Sequence, residues 1–262
     1  MNNTSLKDFL DRKVDEYNQP FFIQHDPISI PHRFIKKQDI EIAGLFAAIF
    51  AWGNRKSIIN SCDKLMGWMD NAPHDFILHF EDKDLIPFVD FVHRTFNATD
   101  LFHFFAVLKY HYRFLRNDSF ETAFSQWMDP GDQTVEKALN GFHYYFFSPE
   151  INKDYPARTM KHIAAPFKKS ACKRLNMYLR WMVRHDIQGV DFGIWKNISS
   201  SQLVCPIDLH VARVAKRFNL LHRKQTDWLA AVELTDYLRT LDENDPVKYD
   251  FALFGLGIID KF

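Results

Sequence analysis

The stretch QDIEIAGLFAAIFAWGNRKSIINSCDKLMGWMD, from Gln38 to Asp70, constrains this chain more than any other. Its first half is almost wholly apolar, which fits a helix buried on all sides. Gly53-Asn54 breaks that run, and Ile58, Ile59, Cys62, Leu65 and Met66 resume it at helical spacing. Two consecutive helices are therefore predicted. With only 9 glycines in 262 residues, the remainder favours helices over a turn-rich β fold as well.

The same period recurs along the chain. Leu6, Phe9, Leu10 and Val14 follow Ser5 as a capped amphipathic helix. DLFHFFAVLKYHYRFL and SFETAFSQWM stand out in a middle region rich in Phe, His and Tyr. After Tyr155-Pro156 come ARTMKHIAAPFKKSACKRLNMYLRWMVRHD, a loop through Gly189 and Gly193, a helix beginning near Asp208, DWLAAVELTDYLRTL and DPVKYDFALFGLGI. Tyr144 to Pro149 has the composition of a strand but is short and isolated. The fold class read from this is all-α.

Composition excludes several function classes. Formal charge is +0, so a nucleic-acid partner would have to be held by a local basic patch. Cys62, Cys172 and Cys205 form no CxxC pair, which argues against a disulfide framework or a four-cysteine metal site. His103 and His111, or His74 and His79, lack the i, i+4 spacing of a zinc helix, so no metal and no other cofactor is expected. No glycine-rich loop cradles phosphates, which argues against a nucleotide cofactor. The segment MNNTSLKDFLDRK lacks the apolar core of a secretory signal, and the longest apolar run, Ala43 to Trp52, is far short of a membrane span. The expectation is a cytoplasmic protein with no membrane partner.

Two features carry chemistry. On a helix from Ala171 to Arg184, Leu175, Tyr178, Leu179, Met182 and Val183 share one face. Lys173, Arg180 and Arg184 share the opposite face, with Lys168, Lys169 and Arg174 at its front. Such a basic stripe is either a solvated surface or a phosphate-binding one, since a helix N-terminus favours anions. The second feature is CPIDLHVARVAKRF, Cys205 to Phe218, in which Asp208 precedes a basic amphipathic helix. Aspartate there is a preferred N-cap, and the helix dipole that favours the cap also holds the carboxylate ionised, as catalysis requires. The two roles are compatible.

The pairing of KKSACKRLNMYL with PIDLHVARVAKR resembles the helix-hairpin-helix DNA glycosylase superfamily. DIEIAGLFAAIFAWGNRKSIINSCDKL resembles the buried helix, lesion-side turn and next helix of that superfamily's barrel, and DPVKYDFALFGLGI its closing segment. More closely, KRLNMYLRWMVR, DLHVAR and DPVKYDFALF resemble the motifs of an uncharacterised bacterial family. The resemblance implies a two-lobed helical fold: a barrel over residues 40–165, and a second lobe of 1–39 with 166–262 that holds a hairpin-like element. It also implies a DNA base-excision glycosylase with AP-lyase activity, or a catalytically silent nucleic-acid-binding relative. Lys173 falls where the catalytic lysine would, and Asp208 where the essential aspartate would. Lys168, Lys169, Arg174, Arg180, Arg184, His210 and Arg213 would then contact DNA, and Trp52, Asn54 and Arg55 would border the base pocket. The superfamily's hairpin usually turns on G-x-G, and FKKSAC contains no glycine.

Overall fold

The computed structural model describes residues 3–260 and 262. It is all-α, apart from one two-stranded ribbon among the described residues. In chain order the helices begin with α1 (Asn3–Tyr17), α2 (Pro20–Gln24), α3 (Lys37–Phe50), α4 (Arg55–Trp68) and α5 (Pro73–His79). The ribbon β1 (Val92–His93) and β2 (Phe96–Asn97) leads to α6 (Ala98–Lys109), α7 (Thr122–Ser125) and α8 (Glu136–Phe146). The last four are α9 (Lys173–Val183), α10 (Leu209–Arg217), α11 (Trp228–Arg239) and α12 (Tyr249–Ile258). Among the described helices none is long and apolar enough to cross a membrane.

The chain divides into two units. The first comprises Met1–Gln24, Met128–Lys137 and Ala165–Phe262; the second comprises His25–Trp127 and Ala138–Ala164. Residues 25–39, grouped by sequence with the C-terminal helices, thus lie in the second unit, and 128–137 in the first.

In the first unit α12 packs against both α1 and α10. Leu6, Leu10, Val14 and Tyr17 recur every three or four residues along α1 and are buried. The approach is close because α12 offers glycines: a Cβ at Gly255 would lie 2.2 Å from the Tyr17 ring, and one at Gly257 3.1 Å from His210 Cβ. Residues 128–137 are stitched in by polar bonds. Val135 N–H donates to Gln202 O at 3.0 Å, Gln202 Nε2 to Asp132 O at 2.9 Å, and Trp228 Nε1 to Glu136 Oε2 at 2.9 Å.

The second unit explains the abundance of Phe and His in the middle of the chain. Every residue of α3 from Ile42 to Phe50 is buried, and its rings meet others in tilted, edge-on and stacked pairs: Phe46 with Phe104 at 5.7 Å, Phe50 with Phe96 at 5.0 Å and with Phe91 at 5.6 Å. Buried histidines sit among these rings and satisfy backbone carbonyls. His93 Nε2 donates to Phe50 O at 3.1 Å, His103 Nε2 to Phe146 O at 3.0 Å, His111 Nε2 to Ser119 O at 2.9 Å and His143 Nδ1 to Ile163 O at 2.9 Å. An imidazole fills aromatic-sized space while supplying the hydrogen bond that a buried carbonyl needs. Tyr144 to Phe146, strand-like in composition, continue α8 instead. The ribbon, unmarked in the sequence, turns at Arg94 with φ +57°, where no glycine signals it.

Candidate functional site

The turn before α9 is built without glycine. A one-turn 3-10 helix, Pro166–Lys168, precedes Lys169 at φ +59°, and Cys172 caps α9 at φ +51°. Left-handed backbone is usually left to glycine, asparagine or aspartate, so two ordinary residues hold it here against a modest cost. Cys172 is fixed partly by its own N–H, which donates to Ser170 Oγ at 3.2 Å. The hairpin-like element is therefore a short 3-10 turn and two left-handed residues leading into α9, rather than a hairpin turning on G-x-G.

Lys173 is the first residue of α9, and its Nζ lies 3.1 Å from Asp208 Oδ2. The other carboxylate oxygen, Oδ1, accepts from the His210 and Val211 N–H groups, each at 2.9 Å, and so caps α10. Burial pulls the Asp208 pKa upward, but Lys173 and the two N–H donors outweigh it and hold the carboxyl below its ordinary value. The pair is not sealed: the side chains retain 32% and 20% of their exposure. Cap and ion pair coexist in one carboxylate.

The two arginines further along this face of α9 are buried. Arg180 and Arg184 are 4% and 3% exposed, so they present no face to solvent or to phosphate. Arg180 pairs with Asp250 through Nη1 and with Asp191 Oδ1 through Nε at 3.3 Å. Arg184 Nε meets Asp245 Oδ2 at 2.9 Å, and its Nη1 meets Asp191 Oδ2 at 3.1 Å and Asp186 Oδ2 at 2.5 Å. Both guanidiniums lie over the Phe251 ring, Arg180 at 4.3 Å from its centroid. Burial opposes the charge on Arg184, yet Asp191, Asp245 and Asp186 together raise its pKa. The expected DNA contacts at Arg180 and Arg184 are corrected accordingly: desolvated guanidiniums need carboxylate partners, and the loop after α9, the turn before α12 and the first turn of α12 supply them. Asp186, Asp191, Asp245 and Asp250 had no periodic signal in the sequence, because they reach α9 from separate segments.

In the turn before α9, Lys168 and Lys169 are exposed, and Phe167 is 47% exposed. Arg174 is half-buried, and burial lowers its pKa to about 10. His210 and Arg213 turn towards α12: His210 packs on Gly257, and Arg213 Nη2 donates to Gly257 O at 3.0 Å.

Trp52, Asn54 and Arg55 lie in the second unit, at the turn between α3 and α4. Gly53 there has φ +102°. Asn54 Oδ1 caps α4 by accepting from Ser57 N–H at 3.3 Å, and the Arg94 guanidinium lies over the Trp52 ring at 4.7 Å. Local structure thus accounts for Asn54 and covers one face of Trp52. Elsewhere in this unit a cleft of about 620 Å³ is lined by His79, Phe80, Lys109, Arg113 and Phe114 among others. Its two cations serve α5: Lys109 Nζ donates to Phe80 O at 2.7 Å and Arg113 Nη1 to Leu78 O at 2.6 Å. Among the described residues, no cluster of three His, Cys, Asp or Glu side chains is placed to hold a metal ion.

A family model described as "Protein of unknown function (DUF2400)" matches residues 26–259. The chain belongs to the DUF2400 family. The matched DUF2400 span includes α9, α10 and α12, hence Lys173, Asp208 and the carboxylates around Arg180 and Arg184. No curated protein and no solved structure matches this DUF2400 chain.

Proposed function

We propose that this protein is a DNA base-excision glycosylase with AP-lyase activity, in which Lys173 is the nucleophile and Asp208 its carboxylate partner. The observation that carries this reading is the 3.1 Å contact between Lys173 Nζ and Asp208 Oδ2 in a position still open to solvent. Both arginines on that face of α9, Arg180 and Arg184, are buried in ion pairs, so an accessible ammonium beside an ionised carboxylate stands apart.

The chemistry asked of the pair is specific. Asp208 accepts a proton from the Lys173 ammonium, leaving a lone pair on Nζ. That lone pair forms a bond to C1′ of a flipped-out nucleotide as the glycosidic bond breaks, and the bond's electrons leave with the base, which takes up a proton. Opening of the sugar then gives a protonated Schiff base, from which β-elimination expels the 3′-phosphate. The proton that the departing base takes up is the one Asp208 received, and Asp208, returned to the carboxylate that its cap favours, then stabilises the positive charge on the sugar and Schiff base. Lys168 and Lys169, exposed in the turn that leads into α9, would contact the phosphate backbone.

Borohydride trapping on oligonucleotides carrying 8-oxoguanine, uracil or an abasic site tests the proposal. A covalent adduct in the native chain that is lost in Lys173→Ala supports it. No adduct with any of the three refutes it and leaves a nucleic-acid-binding role, which gel-shift titration of the same oligonucleotides measures.

A further inference from the structure

We infer that Asp250 is a positioning residue for Lys173 and Asp208: gripped by Arg180, two turns along α9 from Lys173, its carboxylate sets the local charge under which that pair works. The inference deepens the reading of Lys173 as a nucleophile and rests on it for its catalytic meaning.

A lysine attacks only as the neutral amine, and each nearby anion favours the ammonium instead. Asp208 is an unavoidable anion because it must take the proton. Asp250 is a second one, in the first turn of α12 and 6% exposed. Arg180 is what makes it tolerable: spaced seven residues from Lys173, it lies about 10 Å further along the same face of α9 and pairs directly with Asp250. Helix α9 thus carries both the nucleophile and the cation that offsets the carboxylate behind it.

The groups acting on Asp250 come from several segments. Arg180 and Lys173 of α9 favour its charged form; Asp208, at the start of α10, and Asp191 oppose it. The buried Cys205 thiol is close enough to feel Asp250, Asp208 and Arg180 together. Before α12, Asp245 is held by Arg184, and Lys248 bridges to Asp242 at 2.6 Å and to Asp11 of α1 at 3.4 Å. Burial is the largest influence and raises Asp250 to about 6. Its charge therefore changes close to neutrality, within a cluster containing Lys173 and Asp208.

Competitive acetylation of the full chain with acetic anhydride, read by mass spectrometry at the peptide bearing Lys173, tests this without DNA. In Asp250→Asn one anion is gone, and Lys173 acetylation at pH 7.5 is expected to rise about threefold, equivalent to half a pH unit. Asp245→Asn, which removes a partner of Arg184 instead, is the control for general loosening and leaves the Lys173 rate unchanged. An unchanged rate in Asp250→Asn, or an equal rise in both variants, overturns the inference. The native chain supplies a second measurement that needs no variant. The logarithm of the Lys173 rate climbs with pH, and around pH 6, as Asp250 loses its proton, the line steps down by about half a log unit; a single straight line through that range overturns the inference. Failure of borohydride trapping would remove the glycosylase and leave these labelling results standing, so the two ideas fail separately.

Discussion

Asp208 does two jobs that substitution can separate. Asparagine is as good an N-cap as aspartate, so Asp208→Asn keeps the bonds to His210 and Val211 and loses only the charge facing Lys173. Its urea-unfolding free energy should stay within about 0.5 kcal/mol of native, since a partly exposed ion pair contributes little. Borohydride trapping should nevertheless disappear. Asp208→Ala loses the cap too and should cost about 1 kcal/mol more. If Asp208→Asn traps as efficiently as the native chain, the residue is only a cap. Both partners of this contact were legible in the sequence, because each stands at a helix start with its own local pattern. Asp250 and Asp191 were not: nothing in the sequence around them indicates that an arginine on a distant helix needs them.

Helix α9 shows why periodicity alone misassigned half of its polar face. Spacing correctly puts Lys173, Arg180 and Arg184 on one side, but it does not tell whether that side meets water or carboxylates. Here it meets both, open at Lys173 and closed at Arg180, which pairs with Asp250. Truncating a buried ion pair leaves an uncompensated charge, so Arg180→Gln is expected to lower unfolding free energy by about 3–5 kcal/mol in urea titration. The double substitution Lys168→Gln with Lys169→Gln should leave stability within about 0.5 kcal/mol. It should instead weaken binding to an abasic oligonucleotide and flatten its salt dependence. A stability loss of equal size in both variants would mean that the front lysines are structural as well. The turn before α9 was unreadable for another reason: Lys169 and Cys172 hold left-handed backbone that sequence normally announces with glycine.

The division into two units gives the chain two different responses to acid. In the second unit, burial pushes His111 down to about 4, so the folded form keeps it neutral where an unfolded imidazole already takes a proton. Its contribution is complete above about pH 6.5 and is lost as pH falls from there towards 4. Between pH 6.5 and 5 the loss is about 2 kcal/mol, visible as the difference in pH dependence of the urea midpoint between the native chain and His111→Gln. A native midpoint whose pH dependence equals that of His111→Gln would contradict the burial of His111. Asp250 acts oppositely in the first unit, since a carboxyl raised to about 6 favours the fold less as pH rises past its unfolded value. The all-α class and the helices α3 and α4 were legible because their apolar periods are long. The partition was not, since residues 128–137 join the first unit through hydrogen bonds that leave no mark in hydropathy. One consequence concerns synthesis. The seat for Tyr17 of α1 is made at Gly255 in α12, almost the length of the chain away. At ribosomal rates of about 5–20 residues per second, α1 waits on the order of ten to fifty seconds for its partner while all of the second unit emerges. Throughout that interval the apolar stripe of α1 is open to chaperones, and slowing translation would lengthen its exposure without altering the finished fold.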